Sequence, residues 1–232
     1  MIVARCEQGS PEWFANRSGV ITASMFRIAR TKTRGGGMSE TARHYAFRLA
    51  IERISGVPLD VDRPTASTWQ MKRGQRLEPM ARFCHIEEIG VDVEEVGVIL
   101  TDDRKFGASA DGWIGEKGGA EYKCLVGEAE LESIYIDLDA TKYAEQVQGN
   151  LWLSGREWWD FCVYCPALER IGLHFWRQRV YRDEAYIEAM VTDLRNFDEV
   201  VEGFREKLIA RQEFRAGKIT SEQYRAIFGA PF

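Results

Sequence analysis

Histidine is scarce in this 232-residue chain, and the three present, His44, His85 and His174, have no mutual spacing that makes a metal or catalytic site. No Ser-His-Asp arrangement and no phosphate-cradling glycine motif is present, which sets aside serine-hydrolase and P-loop chemistry. Cysteine offers little more. The five, Cys6, Cys84, Cys124, Cys162 and Cys165, are odd in number and scattered, so no secreted disulfide framework is expected. Cys162 and Cys165 form a C-x-x-C, but WWDFCVYC reads as a strand, in which residues three apart face opposite sides. With no second pair to complete four ligands, core thiols are expected. Long apolar runs are also missing: none approaches the roughly 20 residues a bilayer span requires. MIVARCEQGS lacks an apolar segment after its Met, so a cytoplasmic protein with no membrane partner is expected. No internal repeat or low-complexity tract is visible.

What is present is core material. The chain is 45% apolar, with seven Trp, eight Tyr and twelve Phe, enough for one substantial core, and a single domain over residues 1–232 is expected. The formal net charge of -5 argues against a polyanion partner, since phosphate binding works through Lys and Arg releasing counterions. The average hides an asymmetry. Residues 1–50 carry Arg5, Arg17, Arg27, Arg30, Lys32, Arg34, Arg43 and Arg48 against only Glu7, Glu12 and Glu40. Acid clusters in 87–103 and 128–139, so one basic face on an acidic body is expected.

Periodicity gives an α/β order. Thr22 is positioned to cap a short helix with Met25, Phe26 and Ile28, and Ser39 a longer one through Arg53, ended by Gly56 and Pro58. The stretch TKTRGGG between them reads as a loop. A helix follows from about Thr68 to Ile89. Alternation then predicts three strands, over Val91 to Leu100, Phe106 to Ala110 and Ala120 to Cys124, with turns at Asp102-Asp103 and Gly115 to Gly119. A helix from Thr141 to Leu153, strands at Glu157 to Tyr164 and Gly172 to Val180, and a helix from Asp183 to about Arg211 complete the chain. This order predicts an α/β mixed sheet flanked by helices, with the fourth strand beside and parallel to the third.

The informative cluster is Asp111, Glu121 and Lys123. If the intervening turn closes a hairpin near Glu116-Lys117, Asp111 and Glu121 lie almost opposite one another. Glu121 and Lys123 then share a face. Two carboxylates and an ammonium suit Mg²⁺, which takes few protein carboxylates and keeps its remaining positions for water and phosphate oxygens. The bland alternative is a surface hairpin with cross-strand charges. Small residues in GASADGWI and the apolar strand around Glu121-Tyr-Lys-Cys favour the metal reading, because unpaired charges there would be costly. Glu78, in RGQRLEPMA, lies near the edge of an apolar helix stripe and is able to point back toward the sheet, though a solvated helix Glu is the commoner case. Gln146 is either a polar group directed at the site or a helix-surface amide. Arg17, four residues after Trp13, is more often a snorkelling surface residue than an anion site.

Five motifs stand in one order: Trp13 to Ser24, W-F-A-N-R-S-G-V-I-T-A-S; Gly74 to Ala81, G-Q-R-L-E-P-M-A; Ser109 to Gly112, S-A-D-G; Glu121 to Cys124, E-Y-K-C; and Gln146 to Gln148, Q-V-Q. In these the chain resembles the bacteriophage lambda exonuclease family, YqaJ-type viral recombinases of the PD-(D/E)XK nuclease fold, a restriction-endonuclease-like mixed sheet. The fold's proline is replaced by Ala110, which removes a fixed φ but no ligand. The resemblance implies a 5′-to-3′ exonuclease on linear double-stranded DNA. Such an enzyme would act in a bacterial host cell, releasing 5′ mononucleotides and leaving a 3′ tail for recombination. It implies two Mg²⁺ ions, replaceable by Mn²⁺, on Asp111, Glu121, Glu78 and the Tyr122 carbonyl, with Lys123 and Gln146 catalytic. It places Arg17, Ser24, Ser109 and Gln146 around a terminal 5′ phosphate, and Trp13, Arg30, Lys32 and Arg34 along DNA. A toroidal homotrimer and a single-strand annealing protein are the implied partners. An endonuclease or junction resolvase of the same fold, or an idle DNA-binding module, are the alternatives.

Overall fold

The structure, a computed structural model, describes residues 1–59 and 69–229. Its helices start where local chemistry permits. Ser10 accepts the Trp13 amide at 3.2 Å to open α1 (Pro11–Arg17), whose proline needs no amide at that position. After β1 (Ile2–Ala4) and α1 come β2 (Ile21–Thr22), a single 3₁₀ turn and α2 (Phe26–Ala29). Thr22 precedes that turn without a side-chain capping bond, contrary to its expected role. Ser39 caps α3 (Glu40–Ser55) through the Ala42 amide, and Gly56 ends it with φ 73°. The long α4 (Trp69–Ile89) follows; its predicted start at Thr68 lies outside the described residues.

Two four-stranded sheets, rather than one, form the centre. The first has the order β1-β3-β4-β2, with β3 (Val98–Leu100), β4 (Phe106–Ser109) and a parallel β2–β4 pair. The second has the order β5-β6-β7-β8: β5 (Gly112–Ile114), β6 (Gly118–Lys123), β7 (Trp158–Tyr164) and β8 (Phe175–Tyr181). The predicted strand from Val91 is mostly irregular: only Val98–Leu100 pairs in a strand, and Glu94 contributes an isolated bridge to Trp113. One segment of chain feeds both sheets. Ser109 ends β4 opposite Val98 and Gly112 opens β5 opposite Ala120, so Ala110 and Asp111 occupy the junction.

The predicted crossover is present. α5 (Glu128–Tyr135) and α6 (Ala144–Ser154) carry the chain from β6 to β7, which pair in parallel with Lys123 opposite Val163. α7 (Glu184–Arg215), opened by Asp183, packs on α3 through the stacked rings of Tyr45 and Phe197, and α8 (Ser221–Phe228) follows. β1, β2, α1, α5 and α8 lay below the resolution of the sequence pattern, being short or weakly apolar. Both Cys162 and Cys165 are buried free thiols, as expected.

Gly118 and Gly119 belong to β6, not to the predicted turn. Their reason is proximity: a Cβ on either would stand 2.2 Å from the ring of Trp158 or Trp159. The indoles of β7 occupy the space that side chains on β6 would fill. Gly119→Ala should therefore cost about 1–3 kcal/mol by overpacking against the fully buried Trp159. Urea unfolding checks this, and a variant as stable as the wild type would contradict it.

Candidate active site

The register at the sheet junction decides what meets. With Gly112 opposite Ala120, the next positions along the two strands are Asp111 and Glu121, and the Tyr122 amide donates to Asp111 Oδ2 at 2.7 Å. Alternation puts Lys123 on the Glu121 face, where its Nζ donates to Glu121 Oε1 at 2.7 Å. α6 crosses above. Gln146 Nε2 donates to the same Oε1 at 2.5 Å, and Asn150 Nδ2 to Oε2 at 3.1 Å. Glu121 is thus a carboxylate only 3% exposed and held by three donors. Asn150 went unnoticed in the sequence, although its spacing of four from Gln146 on one helix was a usable signal. Its Oδ1 is buried without a hydrogen-bond partner.

Glu78 projects from α4 toward this cluster instead of standing in solvent. It is half-buried and ion-paired to Arg82 at 3.0 Å, four residues along the helix; Arg82 also reaches Glu95 at 3.1 Å. Glu78, Arg82, Ala110 and Asp111 line one cleft together with Arg5 to Gln8 and Glu94 to Gly97.

Crowding of like charge marks the site. Burial, then Glu121 and Glu78, push the Asp111 carboxyl well above its ordinary value. Burial likewise raises Glu78 despite Arg82, with Glu121 adding to the rise. Burial pulls Lys123 down, but Glu121 and Asp111 outweigh it and hold its ammonium above the usual lysine value. Three carboxylates therefore share space with too little positive charge. A divalent cation would relieve this, and the oxygen donors are of the kind Mg²⁺ takes. Among the described residues no three acidic, His or Cys side chains already form a cage.

Beside the carboxylates lies a cationic recess. Arg17 Nη1 donates to Ser109 Oγ at 2.8 Å, and its guanidinium stacks on Trp13, 4.3 Å from the ring centroid. Burial lowers its pKa, and Tyr45, Glu121 and Glu52 lie near enough to oppose that through space. Among the described residues Arg17 makes no ion pair. The surface reading of Arg17 is corrected by this: it is a partly desolvated cation bonded to a neutral hydroxyl. Tyr45, another residue the sequence did not single out, receives the Thr22 amide at 3.4 Å, and Ser24 is exposed on the following turn, 3.4 Å from the Thr22 hydroxyl.

Arg30 and Lys32 are not the free cations the sequence suggested. Arg30 pairs with Asp193 at 3.1 Å and Glu145 at 3.5 Å, and Lys32 with Asp193 at 3.2 Å. The partners come from α6 and α7, far along the chain, so composition could not reveal them. Arg34 stays exposed in a turn closed by Thr33 and Gly37 and by a bridge between Lys32 and Met38.

Comparison with known proteins bears on this arrangement. An alkaline exonuclease from Laribacter hongkongensis superposes with a TM-score of 0.74 at 31% identity, covering 91% of this chain and all of that one. The same enzyme in complex with dAMP gives 0.75 at 32% identity over the same shares. A phage-related exonuclease from Haemophilus somnus 129PT shares the fold at 13% identity, with a TM-score of 0.64 over 83% of this chain and 96% of that one. An uncharacterized Escherichia coli (strain K12) protein, ExoD, is 35% identical over 66 residues, which is 28% of this chain and 66% of that protein. The model of the YqaJ-like viral recombinase domain matches residues 12–157, a span that contains Arg17, Glu78, Asp111, Glu121, Lys123 and Gln146. The chain belongs to the YqaJ-like viral recombinase family.

Proposed function

We propose that this protein is a Mg²⁺-dependent exonuclease. Acting as a single domain, it degrades one strand of linear duplex DNA from its 5′ end, releases 5′ mononucleotides and leaves a 3′ tail for recombination by a single-strand annealing protein. The observation that carries this reading is adjacency. Ser109, which holds the Arg17 recess, and Asp111, in the carboxylate cluster, are two residues apart, about 7 Å along an extended chain. A terminal phosphate held by Arg17 would then lie within reach of the carboxylate cluster, which supports the removal of single nucleotides. The likeness to the alkaline exonucleases supports the same activity.

Asp111 and Glu121, with Glu78 and the Tyr122 carbonyl, would hold two Mg²⁺ ions, Mn²⁺ being able to substitute. When bound, the metal activates a water and stabilises the leaving 3′ oxygen. The protein's own groups do the rest. Lys123, hydrogen-bonded to Glu121, orients or deprotonates the attacking water. Gln146 and Asn150 fix the Glu121 carboxylate. Arg17, with Ser109 and Ser24, takes the terminal 5′ phosphate, for which a guanidinium fork is well shaped. Arg34 and Trp13 contact the duplex; Arg30 and Lys32 join them only by releasing Asp193 and Glu145.

Asp111→Asn should abolish nucleotide release, a loss of at least 10²-fold to 10³-fold on the order of other preorganised groups. It should nevertheless melt higher than the wild type in EDTA at pH 8. The sign follows from the raised pKa: the stability this group contributes is complete below the ordinary Asp value of about 3.9 and is lost as pH rises through the elevated one. A neutral amide escapes that loss. Full activity on linear duplex, or a lower metal-free melting temperature, contradicts the assignment.

Duplexes bearing a 5′ phosphate should be degraded faster than 5′-hydroxyl duplexes, and Arg17→Ala should erase most of the difference; a wild type indifferent to the end group would refute the recess. Covalently closed circles should be spared, whereas an endonuclease would cut them.

The acidic net charge also requires a way to hold DNA. A toroidal homotrimer would turn three copies of the N-terminal basic segment inward and leave the acidic segments outside. Light scattering should give about three times the 26.6 kDa chain mass. Degradation should continue after competitor DNA is added, and a monomer that stops at once rules the ring out.

A further inference from the structure

Behind the carboxylate pair lies a buried polar chain that the reaction above does not use. Tyr122 points to the opposite face of β6 from Glu121 and Lys123, because side chains alternate along a strand. There its hydroxyl meets His85 Nδ1 at 2.9 Å, and His85 Nε2 meets Asp160 Oδ2 at 3.1 Å. Arg179 closes the chain with a fork, Nε to Oδ1 and Nη2 to Oδ2, both at 2.9 Å; Arg177 adds a longer contact to Oδ1 at 3.4 Å. His85 and Asp160 are fully buried, and the His85 ring packs on those of Tyr122 and Phe175.

The carboxylate end of this chain has a fixed role. Burial pushes Asp160 up, but the hydrogen bonds from Arg179 and His85 overcome it and keep its carboxyl far below the ordinary value, so Asp160 only accepts. His85 Nε2 must then carry the proton. The Tyr122 hydroxyl and His85 Nδ1 share the remaining hydrogen bond of the chain. Stability alone does not account for such a chain, since well-packed apolar side chains serve as well in place of buried ion pairs.

Its consequence is felt at the other end of Tyr122. The backbone amide of that residue makes the one hydrogen bond to the Asp111 carboxylate among the described residues, and its peptide units carry Glu121 and Lys123 on either side. The orientation of Asp111 therefore depends on where the Tyr122 peptide is held. We propose that His85, locked onto Asp160, is a positioning residue of the hydrolytic centre: by anchoring the Tyr122 ring it fixes the peptide that orients Asp111 for a divalent cation. This rests on the nuclease reading above. Partners of this kind behind metal-binding groups commonly change affinity by about 10-fold to 100-fold when removed.

The test compares Tyr122→Phe, which deletes one oxygen, with His85→Phe, the double variant, and Leu194→Ala as a core truncation in α7. Binding of Mn²⁺ without DNA is read from the paramagnetic resonance of the free ion, alongside the Mg²⁺ concentration that half-saturates DNA degradation and the melting temperature. Tyr122→Phe and His85→Phe should each weaken Mn²⁺ binding about 10-fold or more and shift the Mg²⁺ requirement to match. The double variant should be no worse than the poorer single one, because both remove the same link. Leu194→Ala should lower the melting temperature and leave the metal affinity unchanged. If His85→Phe does not fold, Tyr122→Phe alone decides. Wild-type affinity in Tyr122→Phe overturns the positioning role while leaving the nuclease intact. A wild type that neither binds Mn²⁺ nor degrades DNA overturns the nuclease reading and this inference with it.

Discussion

Repulsion between carboxylates held out of water is the constraint on which the centre of this protein depends. Asp111 and Glu121 are brought together by strand register, and Glu78 is added from α4. Such a cluster is unfavourable by itself, and an unsupported sheet edge would let it spread. The surrounding elements resist that. Three donors from β6 and α6 hold Glu121, one backbone amide holds Asp111, and Arg82 holds Glu78. The cluster thus carries residual negative charge in a fixed place, which is the requirement for binding a hard cation.

Holding those groups requires a rigid β6, and its rigidity comes from packing. Two glycines admit the indoles of Trp158 and Trp159 against the strand, so β6 and β7 lie in close register over six residue pairs. The helical crossover between them is what places Gln146 and Asn150 over Glu121. One connection therefore builds both the sheet and the upper wall of the site. Below β6, beside the apolar layer that includes Ala81 and Cys162, Tyr122, His85 and Asp160 form their polar chain.

Charge is distributed by the same economy. The N-terminal segment is basic in sequence, yet Arg30 and Lys32 are drawn back onto Asp193, and Arg53 onto Asp198 at 2.6 Å. The basic face is narrower than the composition suggests. Arg17 is the exception that matters, a cation stacked on Trp13 and bonded to a neutral hydroxyl.

By itself the sequence determined where the charged cluster of β6 would gather. Asp111, Glu121 and Lys123 were legible because hairpin register and a period of two are local rules, and the parallel β6–β7 pair because a helix of sufficient length lies between the strands. The helices capped at Ser39 and Asp183 were legible for the same reason. Tertiary structure decided what depends on distant segments meeting. It divided the expected single sheet at Ala110-Asp111, turned Gly118 and Gly119 from turn residues into sites of ring contact, and withdrew Arg30 and Lys32 into ion pairs. It also joined His85 to Asp160 and Tyr122, 75 and 37 positions away, a pairing no spacing could signal. Periodicity reports how a residue relates to its own strand or helix; which partner lies across from it is fixed only when the layers pack.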